Sequence, residues 1–575
     1  MIKEFSLNKT NAILNFTIKY CNTSEELLNS TGFLKVLSRY HQKLHKTDAS
    51  LLERIETKCD SDSIEDSLIT LFKMLLIADI SDIKTVNPVF NSLLDNPSDL
   101  IEFIEGLYNY WRSIERYALI ESSEHYAGIQ NMSFITSSEN FSNLILLVYR
   151  TIEEKIFGYK QNIYRQLNAG VNAGVVLTTA KPIIPDEYSK LHGIKFIDKI
   201  ILNPPFIIYP KQNTRSGFFT EVDHNLLDDS KINKTHYFCY PAKVGESLAF
   251  VYFHRDFMSH GVSLSNLFEL AKPSEYDRKK PNLIYVFGSK LKSKENKTVY
   301  YSDKKNDLYV GFVSTTDEID YFGYMKKMIL TLHNTRMIDK GFLPIHGAMV
   351  NITLKNGKTS NVAIVGDSGA GKSESLEAFR KLSEKYLKEM KIIFDDMGTF
   401  KIENGKVYGY GTETGAFVRL DDLENGFAFQ AMDRAIFMNP NKVNARLLYP
   451  VSTYKDIIRG YKVDILLYAN NYENSKNELV LFDNVDKAKD VFVKGLRKAK
   501  GTTTEKGLVE SYFANPFGPH QRMEQTDIII DSVFNQLFDN KIPVGEIYTK
   551  LAIDGLEMKG PESAAKKIFE FIMKD

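Results

Sequence analysis

Apolar residues recur at helical spacing through the first part of the chain. From Ile101 to Leu119, and again from Phe141 to Ile156, they fall three and four residues apart. That is the period of one buried helix face, so residues 1–170 are expected to be mostly helical. Between about 170 and 320 the texture changes to short β-type runs between polar turns. Ile200–Leu202, Phe206–Ile208, Leu248–Phe253, Leu283–Phe287 and Leu308–Val313 suggest a β-rich or mixed domain over 171–320. Beyond 320 strands and helices alternate. A helical segment opening at Gly323 places Met325, Met328, Ile329 and Leu332 on one face. Gly347–Leu354, the turn Lys355-Asn356-Gly357-Lys358 and Val362–Val365 read as a hairpin with a type I′ turn. A helix is expected from 373 through Phe379 to Glu389, followed by a strand, Lys391–Phe394, that ends in Asp395-Asp396. The fold class expected for 321–575 is α/β with a mixed sheet.

The end of the hairpin carries chemistry. Asn361–Val365 runs into Gly366-Asp367-Ser368-Gly369-Ala370-Gly371-Lys372-Ser373, the pattern G-x-x-x-x-G-K-[ST]. The glycines let backbone N–H groups close around phosphate oxygens, Lys372 adds positive charge, and the Ser373 hydroxyl can hold magnesium. The helix that follows points its positive dipole end at the anion. Asp395-Asp396 at a strand end then supplies carboxylates for a metal, directly and through water. Read alone, Lys326-Lys327 is a solvated pair and His346 a core histidine.

Composition narrows the field. With 73 basic and 73 acidic residues the net charge is zero, which argues against nucleic acid or a membrane surface as partner. Cys21, Cys59 and Cys239 form neither a metal spacing nor a disulfide framework. No apolar run approaches a bilayer span, and no signal-type core opens the chain. The expectation is a soluble, cytoplasmic protein.

Around the phosphate loop the stretch from Tyr321 to about Gly507 resembles the C-terminal half of ATP-type phosphoenolpyruvate carboxykinase. The Met-Lys-Lys of 325–327, Ile345-His346, Asp395-Asp396, Glu413-Thr414-Gly415 and Asn444-Ala445-Arg446…Tyr449-Pro450 carry the likeness. The resemblance implies a carboxykinase-type P-loop core and a manganese ion on Lys327, His346 and Asp396. It also implies that Arg446 touches the transferred phosphoryl group, and that Gly495–Gly507 is a mobile lid. The loop itself, with His346-Gly347 before it, is similar to that of HPr kinase/phosphorylase. The carboxykinase's Gly-Arg-Ser-Pro segment, which helps bind oxaloacetate, has only Thr214-Arg215-Ser216-Gly217 as its nearest candidate. The residues that frame adenine have no counterpart around Ile547–Gly560.

The implied reaction is metal-dependent conversion of oxaloacetate and a nucleoside triphosphate to phosphoenolpyruvate, CO2 and nucleoside diphosphate. Lys372 and Arg446 would neutralise the moving group, and Asp395 and Ser373 would support a second, nucleotide-bound metal. The expected ligands are ATP or another phosphoryl donor, Mg2+, Mn2+ and a small-molecule substrate. The helical region 1–170 is expected to be a docking or packing module, the docking alternative implying a protein partner. Two alternatives stand beside this. One is a kinase of a protein or small hydroxyl compound with Asp395 as base; the other is a nucleotide-sensing scaffold without turnover.

Overall fold

The computed structural model describes the chain apart from residues 1–2, 9, 59–62, 122–126, 161–167, 205, 216–217, 292–297, 377, 380–386, 421–433, 500–506, 558 and 575. The class is mixed α/β, and two compact units divide it: Met1–Thr178 with Ile197–Asn203, and Thr179–Phe196 with Pro204–Asp575. Residues 171–320 and 321–575, set apart in the sequence, fall for the most part in the second unit. Among the described residues no helix is long and apolar enough to cross a membrane.

In the first unit helices Thr31–Thr47, Ala49–Glu56, Ile64–Ile77, Ser98–Ser113 and Ala127–Phe157 bury a shared core that includes Leu37, Leu52, Leu71 and Phe103. Ser30, Asp48 and Ser63 cap three of them by accepting a backbone N–H of the first turn. The unit also holds strands Phe5–Leu7, Asn11–Asn15, Glu115–Glu121 and Ala173–Thr178, so it is not simply helical. The helix expected from Ile101 to Leu119 stops at Ser113. There the Arg116 guanidinium donates to the carbonyls of Trp111, Ile114 and Gly170, and Tyr117-Ala118-Leu119 enters a parallel sheet between two neighbours. A strand buried on both faces is apolar throughout, and over so few residues its pattern matches a helix as well.

Besides a smaller four-stranded sheet of Gly415–Arg419, Ala445–Pro450, Ala435–Met438 and Phe206–Ile208, the second unit is built mainly on two sheets. One runs in the order Tyr237–Val244, Ser247–His254, Leu283–Leu291, Leu308–Ser314, Thr298–Asp303 and Thr220–Val222. The other has eight strands in the order Tyr461–Lys462, Lys406–Gly411, Leu387–Glu403, Leu343–Leu354, Thr359–Val365, Ile465–Asn470, Val544–Tyr548 and Leu479–Leu481. Its pairings are parallel between Thr359–Val365, Ile465–Asn470 and Val544–Tyr548, and antiparallel elsewhere. Successive side chains divide between its faces. Met349, Ala363 and Val365 pack towards Met523–Asp539, while Val350, Val362 and Ile364 pack towards Lys559–Lys574.

Between the sheets lies helix Phe322–Asp339, which touches Leu308–Ser314 on one side and Leu343–Leu354 on the other. All of it except Lys327 and Asp339 is buried. The expected single apolar face is therefore a helix covered all round, with Lys326, His333 and Asn334 inside. Three further local expectations change. In the hairpin only Gly357 has positive φ (88°), so the turn is type I followed by a left-handed glycine rather than type I′, which requires two such residues. Residues 387–389 belong to a strand, not a helix, and 380–386 lie outside the described residues. That strand, Leu387–Glu403, does not end at Asp395-Asp396 but passes through them.

Candidate active site

Strand register brings the sequence candidates to one place. Leu343–Leu354 pairs antiparallel on both sides, setting Gly347 opposite Val365 on one neighbour and opposite Asp396 on the other. The phosphate loop, which follows Val365, therefore starts beside His346: the Gly366 N–H donates to the His346 carbonyl at 3.0 Å. A regular strand sends adjacent side chains to opposite faces. Asp396 breaks that alternation with φ of 136°, and both Asp395 and Asp396 line the cleft. Such a backbone costs about 1–3 kcal/mol and is held only by strong surrounding contacts.

The loop runs into a segment helical over 372–376. Its carbonyls are taken by the protein's own donors: Lys372 Nζ on Asp367 (3.0 Å), Asn471 on Gly369 (2.8 Å), Thr549 on Ala370 (2.7 Å) and Ser375 on Gly371 (2.7 Å). Gly371 has φ of 96°, and a Cβ there would meet Thr549 Oγ1 at 2.6 Å, so no side chain fits. These hydrogen bonds hold the loop's backbone in place. The Asp367 carboxylate pairs with Arg497 at 2.9 Å; burial opposes its charge, but His346 and Arg497 together hold its pKa below the usual range.

Asp396 is the hub of the charged cluster. Its Oδ2 lies 2.7 Å from both Lys326 Nζ and Lys327 Nζ, and its Oδ1 lies 2.9 Å from His346 Nε2. Burial works against its ionisation, yet the two lysines and the histidine keep its pKa well below the ordinary value. The lysines differ. Lys326, 1 % exposed, also donates to Glu413 at 3.1 Å, and the two carboxylates outweigh burial and hold its proton firmly. Lys327 donates to Asp396 and lies over the Phe517 ring at 4.7 Å, and burial, helped by Lys326, pulls its pKa down. Burial and nearby Lys372 likewise depress His346.

This set fits a divalent cation. The Ala514 carbonyl can only accept, so at 2.7 Å it fixes the proton on His346 Nδ1. Nε2 stands 2.9 Å from Asp396 Oδ1, a contact that a shared proton satisfies and that a cation can take over once that proton is released. Adjacent donors about 2.1 Å from an octahedral ion stand ~3 Å apart, which matches. Lys327, whose pKa burial lowers, would be the third donor. Beside them Ser373 donates to Asp395 at 2.9 Å, and burial raises the Asp395 pKa despite that bond.

The same cleft, about 860 Å3 in volume, is also lined by Lys372, Arg446 and Arg215. Arg446, on strand Ala445–Pro450, stacks near Tyr321 (5.5 Å) and Phe417 (5.3 Å). Arg215 lies over Phe219 and Phe517 at 5.0 and 5.2 Å, so the weakest sequence candidate sits with the rest; Ser216 and Gly217 lie outside the described residues. Of the expected lid, Arg497–Lys498 pairs with Leu508–Val509, while 500–506 lie outside the described residues. Sequence reasoning missed Glu413, Arg497, Asn471 and Thr549 as supports of the site. Glu413 and Arg497 left a signal, the first in the Glu-Thr-Gly segment and the second as the one arginine in the lid-like stretch.

No protein-family model matches the chain, and no curated protein matches it.

Proposed function

We propose that this cleft transfers a phosphoryl group between a nucleoside triphosphate and the enolate of pyruvate, in a reaction of the phosphoenolpyruvate carboxykinase type on a P-loop core of that type. The observation that carries the reading is the meeting of Lys327 and His346 on the Asp396 carboxylate, in one cleft with Lys372, Ser373 and Arg446.

Lys327, His346 and Asp396 would hold a manganese ion, and Asp395 with Ser373 a magnesium ion that accompanies the nucleotide. Bound there, such ions supply Lewis-acid charge to carbonyl and phosphoryl oxygens. The chain's own residues do the rest. The pre-set loop of Gly366–Ser373 receives the phosphates without reorganising, and Lys372 brings its charge to the β- and γ-phosphates. Arg215 offers a guanidinium to the substrate carboxylate. Loss of CO2 leaves its bonding electron pair as the enolate, whose oxygen takes the γ-phosphoryl group as nucleoside diphosphate departs. The planar fork of Arg446 suits the negative charge spread over the moving group. Lys326 keeps Asp396 ionised throughout. Buried thiols at Cys21 and Cys239 fit a reducing, cytoplasmic setting.

One observation favours a second reading. The buried, raised-pKa carboxyl of Asp395 has the character of a general base, as a kinase acting on a hydroxyl group requires. A turnover assay with oxaloacetate, manganese and ATP, with GTP and pyrophosphate as alternative donors or acceptors, separates the two. Phosphoenolpyruvate formation supports the carboxykinase. Phosphorylation of a hydroxyl substrate without oxaloacetate-dependent turnover assigns the kinase, and tight ATP binding with no turnover at all assigns a nucleotide-sensing scaffold.

A further inference from the structure

The first unit holds a cluster that plays no part in the cleft. His41 and His45 are one turn apart on helix Thr31–Thr47, so both rings leave the same face, and their centroids are 5.0 Å apart. Asp48 ends that helix and caps the next, Ala49–Glu56, which folds back and brings Glu56 to the histidines. One donor atom from each of His41, His45 and Glu56 lies within 4.8 Å of the others. His41 Nε2 is 3.0 Å from Glu56 Oε1. Its other nitrogen, Nδ1, is 2.9 Å from Glu65 Oε1, in the first turn of helix Ile64–Ile77.

We propose that these residues form a zinc site independent of the cleft, with His41, His45 and Glu56 as ligands and Glu65 as the positioning carboxylate. Two imidazoles and one carboxylate suit zinc, whereas magnesium and calcium prefer oxygen alone. A carboxylate on the far nitrogen of a ligating imidazole fixes its tautomer and turns its free nitrogen to the metal. Donors about 2.1 Å from a shared zinc stand at most ~4.2 Å apart. Donors already within 4.8 Å of one another come to that spacing with a small rotamer change of His45 and Glu56, which are both exposed and so give the ion a way in. Three protein ligands leave a fourth position for water or an outside ligand. Bound zinc would tie two helices together directly and a third through Glu65.

The test is zinc stoichiometry and affinity of the full-length chain by equilibrium dialysis, beside His45→Ala, Glu56→Gln and Glu65→Gln. The cleft is the same in all four proteins, so the difference between them reads this site alone. Wild type should bind one equivalent more than His45→Ala. Glu65→Gln should keep the stoichiometry and lose roughly 10–100-fold in affinity. Melting in chelator verifies that each variant is folded, and Glu56→Gln gives the same reading should His45→Ala fail to fold. Equal stoichiometry and affinity in wild type and the folded ligand variants would mean that His41 is only an ion-pair partner of Glu56 and Glu65, and the proposal falls.

Discussion

Glu413→Gln should make the protein more stable, and only above acidic pH. The side chain is 1 % exposed; Oε1 accepts from Lys326 at 3.1 Å, while Oε2 has no hydrogen-bond partner among the described residues. Burial outweighs Lys326 and pushes its pKa from 4.5 up to about 7. Between those values the native state holds the proton and the unfolded chain does not, so stability falls as pH rises through that window. At about 1.4 kcal/mol per pH unit, the gap from 4.5 to about 7 amounts to roughly 3 kcal/mol, fully felt above pH 7 and absent below 4.5. Glutamine imitates the protonated carboxyl, and Lys326 keeps Asp396 at 2.7 Å. The variant should match wild type near pH 4.5 and gain roughly 3 kcal/mol at pH 8, about 4 °C in melting midpoint for a unit of this size. The assay is thermal melting from pH 5 to 8, following the transition that ATP shifts. A variant less stable than wild type at pH 8, or a difference that does not change with pH, would refute the reasoning: the ionised carboxylate would then be a net favourable partner of Lys326. The stability gain should accompany slower turnover, because Lys326 then faces one carboxylate charge instead of two.

Lys372→Ala should abolish ATP-dependent thermal stabilisation, worth about 2.7 kcal/mol at a hundredfold excess over Kd; an unchanged shift removes the phosphate-cradle reading. His346→Ala should weaken manganese binding, followed by electron paramagnetic resonance, beyond the roughly 10–100-fold typical of a residue that only supports a ligand. Its effect should not add to those of Lys327→Ala or Asp396→Asn, since the three share one centre; normal affinity would make it a core histidine. Arg446→Lys keeps the charge and loses the planar fork, so kcat should fall at least about tenfold while nucleotide affinity changes little. Equal losses in both would place the arginine in ground-state binding.

The strand-to-helix turn of the glycine-rich loop was legible because its information is local. Glycine spacing, one lysine and one hydroxyl at fixed offsets dictate the backbone around them, and the strand before and the helical turn after are in place. The short β runs of 200–313 were legible for the same reason, since apolar β-branched and aromatic residues bounded by polar turns act within a few residues. The strand Glu115–Glu121 was not, because burial on both faces erases the pattern that separates strand from helix.

The meeting of His346, Lys327 and Asp396 belongs to the tertiary structure. Residue types pointed to chemistry, but only the register of Leu343–Leu354 with its neighbours, and the positive φ of Asp396, put the groups on one another. Helix Phe322–Asp339 makes the point most plainly: Lys326-Lys327 read alone as a solvated pair, and Lys326 is buried inside the fold. Arg497 meets Asp367 across 130 residues, and Lys326 meets Glu413 across 87. Backbone preference is set by near neighbours, so the sequence by itself determined the loop and most of the strands. Burial and charge pairing depend on whichever distant residues the packed sheets bring together, so the electrostatics of the site were decided only by the fold.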